Sequence, residues 1–271
     1  MPRRDLKDKV VVVTGAAGGL GLALCRAFGA RGARLGLLDL HGETLDQAVL
    51  ELESLGFEAA GLACDVTDQE HCKRAIDTLI DRFDGIDVLI NNAGITHRSE
   101  FANTDLDVYR RVMEVSYFGS INCTKAALPS LLQRRGQIIA ISSVAGFAPL
   151  IGRTGYAAAK HAMIGFFSSL RAELSDKGIG ILVVTPSFIK TNIDANALGA
   201  DGEKLTHEKP TIGKAISADT AAEAIVRAAE QDKRTLLITP IAKAARVLTT
   251  VAPRLYEWLM TRSLRSEFQD K

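Results

Sequence analysis

Val10-Val11-Val12-Val13-Thr14-Gly15-Ala16-Ala17-Gly18-Gly19-Leu20-Gly21 joins a β-branched run to a glycine turn, and a helical pattern through Leu24, Phe28 and Ala30 follows at once. A short strand with no polar residue belongs in a parallel sheet covered on both faces. Glycines after such a strand let the backbone turn tightly and approach a pyrophosphate, whose charge meets the free N–H groups at the helix start. The spacing of Gly15, Gly19 and Gly21 is TGxxxGxG rather than the commoner GxGxxG. A glycine turn of purely structural purpose is the competing interpretation.

Working outward, Arg34–Asp39 reads as a second strand that ends in an acid. A carboxylate at that place can accept both ribose hydroxyls of the adenosine half of NAD and would repel the 2′-phosphate of NADP, so NAD is favoured. No Lys or Arg stands in the glycine turn or just after Asp39, although His41 follows closely. The alternation continues with a helix over 42–55, a strand over 58–63, a helix over 69–83 and a strand over 86–90 that runs into Asn91-Asn92-Ala93-Gly94. Asp65, just past the third strand, could meet an adenine edge or cap the next helix. Long helices are expected over 105–114 and 117–134, the second bent by Pro129 or ending near it. Strands over 137–141, 179–184 and 235–239 and helices over 155–177 and 219–230 complete the pattern, which implies an α/β chain with a doubly wound parallel sheet, a Rossmann fold, in a single domain. The core spans about 6–240, and a C-terminal helical extension, about 241–266, breaks near Pro253.

Tyr156-Ala157-Ala158-Ala159-Lys160 places a phenol and an ammonium one above the other on one helix face. Moving a tyrosine from its usual pKa of about 10 to near neutrality requires roughly 4 kcal/mol of preference for the phenolate. A cation about 4 Å away at an effective dielectric near 20 supplies on the order of 4 kcal/mol. The pair is therefore a candidate acid/base device, against the simpler interpretation of a half-buried Tyr beside a solvated Lys.

The 271 residues, 47% of them apolar, suffice for one large core, and a formal net charge of +1 implies no overall attraction to nucleic acid or an anionic surface. Cys25, Cys64, Cys72 and Cys123 form no CxxC and no ligand-like cluster with histidine, so they read as buried, reduced thiols, and no metal site is expected. The first six residues lack an apolar h-region and no run has the length to span a bilayer, which leads to the expectation of a soluble, cytoplasmic protein. Residues 192–215, of mixed composition with Gly199, Gly202 and Pro210, have the look of a mobile segment over a site.

Taken together, Thr14-Gly15-x-x-x-Gly19-x-Gly21, Asp39, Asp65, Asn91-Asn92-Ala93-Gly94, Ser143 and Tyr156-x-x-x-Lys160 resemble the short-chain dehydrogenase/reductase family, in order and spacing, over roughly residues 6–240. The resemblance implies hydride transfer between a nicotinamide cofactor, NAD rather than NADP, and an alcohol/carbonyl pair. Tyr156 would be the general acid/base; Ser143, more than its neighbour Ser142, would orient the reacting oxygen. Lys160 would bind the nicotinamide ribose and acidify Tyr156. By the same likeness Gly15, Gly19, Leu20 and Gly21 cradle the pyrophosphate, Asp39 takes the ribose hydroxyls, and Asp65 with Val66 meets the adenine. Asn92, Ala93 and Gly94 shape the cofactor floor, and Pro186, Ile189 and Thr191 complete the nicotinamide side.

Two positions depart from the family pattern. An asparagine that kinks a helix and holds a relay water is replaced by Ser116, which leaves Ser116 a candidate catalytic participant; the usual Pro-Gly is Pro186-Ser187, which restricts the backbone beside the nicotinamide. An apolar substrate is suggested by Phe101, Phe147, Leu150, Ile151, Phe188 and Ile193, which could flank a pocket or belong to the core. The family likeness also implies a homodimer or homotetramer. Apolar residues recur at helical spacing from Ile241 to Leu259 among Lys243, Arg246, Arg254, Arg262 and Arg265, and packing or a subunit interface is favoured there over a basic face lying on membrane. An NADP-dependent reductase and a catalytically silent nucleotide-binding regulatory or scaffold protein are the alternatives.

Overall fold

The all-valine run opens β1 (Val10–Thr14), and the glycine turn leads directly into α1 (Gly19–Gly29). A computed structural model describes residues 4–40, 42–191, 193, 196–205 and 215–264. There follow β2 (Arg34–Asp39), α2 (Gly42–Ser54), β3 (Ala59–Ala63), α3 (Gln69–Phe83), β4 (Val88–Asn91) and α4 (Leu106–Met113). Next come α5 (Gly119–Arg134), β5 (Gln137–Ile141), α6 (Thr154–Glu173) and β6 (Gly180–Thr185). The two-residue strands β7 (Ile189–Lys190) and β8 (Ile216–Ser217) precede α7 (Ala218–Glu230), β9 (Thr235–Leu237), α8 (Pro240–Val251) and α9 (Pro253–Leu264).

Seven strands form one sheet in the order β3-β2-β1-β4-β5-β6-β9, every neighbouring pair parallel. Successive side chains alternate faces, so Val11, Val13, Leu35, Leu37 and Ile139 pack with α1, α2 and α7, while Val10, Val12, Leu89, Ile138 and Ile181 pack with α3, α5 and α6. Each fully buried aliphatic side chain contributes roughly 1.5–3 kcal/mol, which is why uninterrupted apolar strands settle in the middle layer. Strand order reverses between β1 and β4, and the crevice beyond their carboxyl ends is where this architecture takes a ligand.

Two details differ from the sequence expectation. The helices over 105–114 and 117–134 are not separate: a π turn, Glu114–Phe118, joins α4 to α5, and Pro129 lies inside α5. The pairing of β7 with β8 is too short to leave a periodic signal. Of the stretch over 192–215, residues 192, 194–195 and 206–214 lie outside the described residues. Ala197 and Leu198 are buried, and Leu198 pairs with His97 through backbone hydrogen bonds on either side.

Candidate active site

Thr14, the last residue of β1, binds the end of β4 across the strand reversal. Its Oγ1 accepts from the backbone N–H groups of Asn92 and Ala93, each at 3.0 Å, and Asn92 Nδ2 donates to the carbonyls of Thr14 and Gly15, also at 3.0 Å. This clamp holds the glycine turn against the Asn-Asn-Ala-Gly loop. Gly15 has φ +63°, and a Cβ there would lie 3.0 Å from Ala93 Cα. A Cβ on Gly21 would collide with the carbonyl oxygen of Gly15. Gly18 opens α1 with no side-chain cap, and a Cβ at Gly18 would meet nothing within 4 Å. A helix start without a side-chain cap, reached through glycines that let the backbone approach closely, is what a pyrophosphate requires, so the residues present fit a dinucleotide.

Asp39 is fixed at the rim of this cradle: Oδ2 accepts from Ala17 N at 2.8 Å and Oδ1 from Leu40 N at 2.7 Å. Leu20 and Val66 are buried, on opposite faces of the sheet, and Thr191 backs the turn, 3.3 Å from where a Gly19 Cβ would stand. Asp65 does not cap the following helix. Asp68 does, accepting from His71 N at 2.9 Å, while Asp65 Oδ1 closes the preceding turn by accepting from the N–H and hydroxyl of Thr67 at 2.9 and 2.8 Å.

The chemical half of the site grows from the end of β5 and the first turns of α6. Ser142 is buried, and its Oγ donates to the Lys160 carbonyl at 2.9 Å. Ser143 is half-buried, and its Oγ accepts from Ala145 N at 3.2 Å, which leaves the hydroxyl proton free to donate. Lys160 is only 3% exposed; its Nζ donates to the Ile141 carbonyl at 2.8 Å and lies 5.7 Å from the centroid of the half-buried Tyr156 ring. Burial lowers the Lys160 pKa to about 8. Ser116 is buried in the π turn, where its Oγ accepts from Ile95 N at 3.2 Å and donates to Ile95 O at 3.3 Å. A Cβ on Gly94 would lie 3.3 Å from Ser116 Oγ and 3.4 Å from Lys160 Nζ, so both polar atoms line the space beside Gly94.

Residues 9–201 match the family model described as short chain dehydrogenase. The chain belongs to the short-chain dehydrogenase family. A rat protein named dehydrogenase/reductase SDR family member 7B is 37% identical over 274 residues, covering 98% of this chain and 84% of the rat protein. A Drosophila melanogaster protein named dehydrogenase/reductase SDR family protein 7-like is 35% identical over 276 residues, covering 99% and 85%. In fold, the chain is similar to a short-chain dehydrogenase/reductase from Burkholderia phymatum, crystallised in complex with NAD, with a TM-score of 0.83, 22% identity and coverage of 93% and 96%. Membership makes this short-chain dehydrogenase an oxidoreductase acting on a CH–OH/C=O pair.

Both departures from the family pattern have structural occupations in this short-chain dehydrogenase. Ser116 preserves the helix distortion by bonding both backbone groups of Ile95. Ser187 Oγ lies 2.8 Å from the hydroxyl of Thr239, the residue that caps α8, and the Pro186 carbonyl accepts from Val144 N at 2.9 Å. The Ser187 side chain therefore ties the segment after β6 to the start of the C-terminal helices. Phe101, Phe147, Leu150, Ile151, Phe188 and Ile193 are all half-buried or exposed and belong to none of the core clusters.

Two features escaped the sequence. His97 is fully buried; its Nε2 accepts from Gly155 N, immediately before Tyr156, at 2.9 Å, which puts the ring proton on Nδ1, 3.3 Å from Ser99 Oγ. Burial, and secondarily Arg153, lowers its pKa to about 4, and Tyr109 packs edge-on at 5.3 Å. Nothing in the spacing of His97 and Gly155 could have joined them. The cysteines are free and buried as expected, but three of them do cluster: Cys72 Sγ lies 4.0 Å from Cys64 Sγ and 3.6 Å from Cys123 Sγ, and it also donates toward the Val66 carbonyl.

Proposed function

We propose that this short-chain dehydrogenase transfers a hydride between NAD(H) and an apolar secondary alcohol or ketone, with Tyr156 as general acid/base. The observation that carries it is the buried Lys160 ammonium, fixed by the Ile141 carbonyl behind the Tyr156 ring at the open end of the sheet. Asp39, its carboxylate held at the cradle rim by two N–H donors, supports NAD over NADP because a fixed negative charge opposes a 2′-phosphate. The NAD complex of the Burkholderia phymatum protein accords with that preference. The six apolar side chains left half-buried or exposed, outside the core clusters, support an apolar substrate.

When bound, the nicotinamide supplies or accepts the hydride. In reduction the Tyr156 hydroxyl gives its proton to the substrate oxygen; in oxidation the phenolate takes the proton of the alcohol. Ser143 donates its free hydroxyl proton to the same oxygen and so stabilises the charge that develops there. Lys160 donates to Ile141 O and toward Met163 Sδ, which leaves a third donor with which to hold the nicotinamide ribose, and its charge favours the phenolate. Ser116 fixes Ile95, and so the loop at Gly94.

Steroids, aliphatic and aromatic ketones and sugars assayed with NADH and with NADPH test the proposal. Turnover of apolar ketones, higher with NADH, is the expected result; preference for sugars or for NADPH would overturn the substrate or the cofactor assignment, and no turnover across the panel would favour a nucleotide-binding protein without catalysis.

A further inference from the structure

The C-terminal helices pack on the rest of the protein with a narrow face. Ala242, Ala245 and Leu264 are buried, whereas Ile241, Val247, Val251, Leu255, Trp258 and Leu259 are exposed, Val251 at 78% and Trp258 at 55%. On α8, Val247 and Val251 share one side, as Leu255, Trp258 and Leu259 do on α9. Intramolecular packing, favoured with a subunit interface from the sequence, is thus not what occupies this face. Beside it, among the described residues of α8 and α9, stand three exposed cations, Lys243, Arg254 and Arg262, against one exposed acid, Glu257; Arg246 turns away onto Phe147, and the Arg262 guanidinium lies 5.4 Å over the Trp258 ring. No described helix is long and apolar enough to cross a membrane.

We propose that α8 and α9 lie on an anionic phospholipid surface, with the apolar faces among the acyl chains and Lys243, Arg254 and Arg262 at the headgroups. Charge decides between this occupant and a second copy of the chain. A two-fold interface meets itself, so it would set these cations against their own copies, with Glu257 the single acid on the described residues of these helices to offset them. A surface rich in phosphate diesters complements them, and a tryptophan beside an arginine suits the boundary between headgroups and hydrocarbon.

The placement also bears on catalysis. Arg246 lies 5.1 Å over the Phe147 ring, Ile151 N donates to Met260 Sδ at 3.4 Å, and the Ser187–Thr239 bond ties the start of α8 to the segment after β6. The helices therefore adjoin the loops that follow Ser143 and precede Tyr156, and docking would open the substrate mouth toward the bilayer. That consequence rests on the apolar substrate proposed above; the docking itself does not.

Trp258 is the chain's single tryptophan, so its emission reports on this face alone. The full chain, without substrate or cofactor, is mixed with vesicles of pure phosphatidylcholine or of equal parts phosphatidylcholine and phosphatidylglycerol. The expected result is co-sedimentation and a blue shift with the anionic vesicles only, reversed by high salt. Lys243→Glu with Arg254→Glu should weaken binding at least about tenfold, each cation near the surface being worth roughly fivefold, while turnover of a water-soluble substrate is unchanged. Val251→Ser with Leu255→Ser should remove the blue shift, folding being checked by circular dichroism. Absence of binding to either vesicle, or binding that ignores both pairs of substitutions, would overturn the proposal. So would a lipid-free dimer that the Val251→Ser, Leu255→Ser pair dissociates, since that would give the face to a second copy. Because no turnover enters the vesicle assay, its failure would leave the dehydrogenase assignment standing.

Discussion

Replacing Lys160 with methionine removes the buried charge behind Tyr156 and keeps much of the side chain's volume. Taking the 5.7 Å between Nζ and the ring centroid as the separation, the attraction for a phenolate at an effective dielectric of 20 is about 3 kcal/mol, less than the sequence-based figure for a closer approach. That corresponds to about a hundredfold in rate near neutrality and to a displacement of roughly two pH units in the ionisation that controls alcohol oxidation. Burial brings the ammonium's own pKa down to about 8, so it is charged at neutral pH and loses its proton in the range where a phenol acidified by it would titrate. The wild-type limb therefore belongs to the pair of groups. The assay is the pH dependence of kcat/KM for oxidation by wild type and Lys160→Met, with NADH binding measured separately by fluorescence. The expected result is a limb moved to higher pH in a variant that still binds nucleotide. A limb that stays in place with turnover within about threefold of wild type, well short of the hundredfold expected, would show that the cation does not acidify Tyr156.

Asp39→Ala should improve NADPH affinity relative to NADH by at least about tenfold by removing a fixed negative charge, measured by paired fluorescence titrations; an unchanged ratio would remove Asp39 from cofactor selection. Gly94→Ala places a methyl 3.3 Å from Ser116 Oγ and 3.4 Å from Lys160 Nζ, so kcat should fall between about tenfold and a hundredfold in a protein with an unchanged circular dichroism spectrum. Normal turnover would mean that the space beside Gly94 is not used. His97→Leu leaves the Gly155 N–H without its acceptor and should cost about 1–3 kcal/mol of stability. In wild type, His97 is held at about 4 against about 6.5 when unfolded. The unfolded chain then binds more protons in that window, so His97's share of stability is complete above pH 6.5 and lost, by up to about 3 kcal/mol, as pH falls to 4. Denaturant melts across that range should show a shallower slope for the variant; parallel curves would exclude His97 as the titrating group.

The fold was legible because its signals are local. The unbroken valines of β1 and the apolar β5 and β6 have no polar face to offer solvent, and they are followed by Gly15, Ser142 and Pro186 where the chain must turn. Tyr156 and Lys160 were legible for the same reason, since helical spacing fixes which residues share a face. Contacts set by tertiary packing were not. His97 meets Gly155 across 58 positions, Cys72 meets Cys123 across 51, and the Ser187–Thr239 bond spans 52. Asp65 and Asp68 are both plausible caps for α3, and only the backbone conformation assigns the cap to Asp68. The π turn around Ser116 depends on Ile95, whose two backbone groups absorb the serine hydroxyl.

The most direct measurement is single-turnover oxidation of a substrate found in the panel, by wild type and Tyr156→Phe, with NADH binding determined for both. With Tyr156 as the proton carrier, nucleotide affinity is retained and the rate of the chemical step falls between about a hundredfold and ten-thousandfold. A Tyr156→Phe protein that turns over at near the wild-type rate would require another group to move the proton.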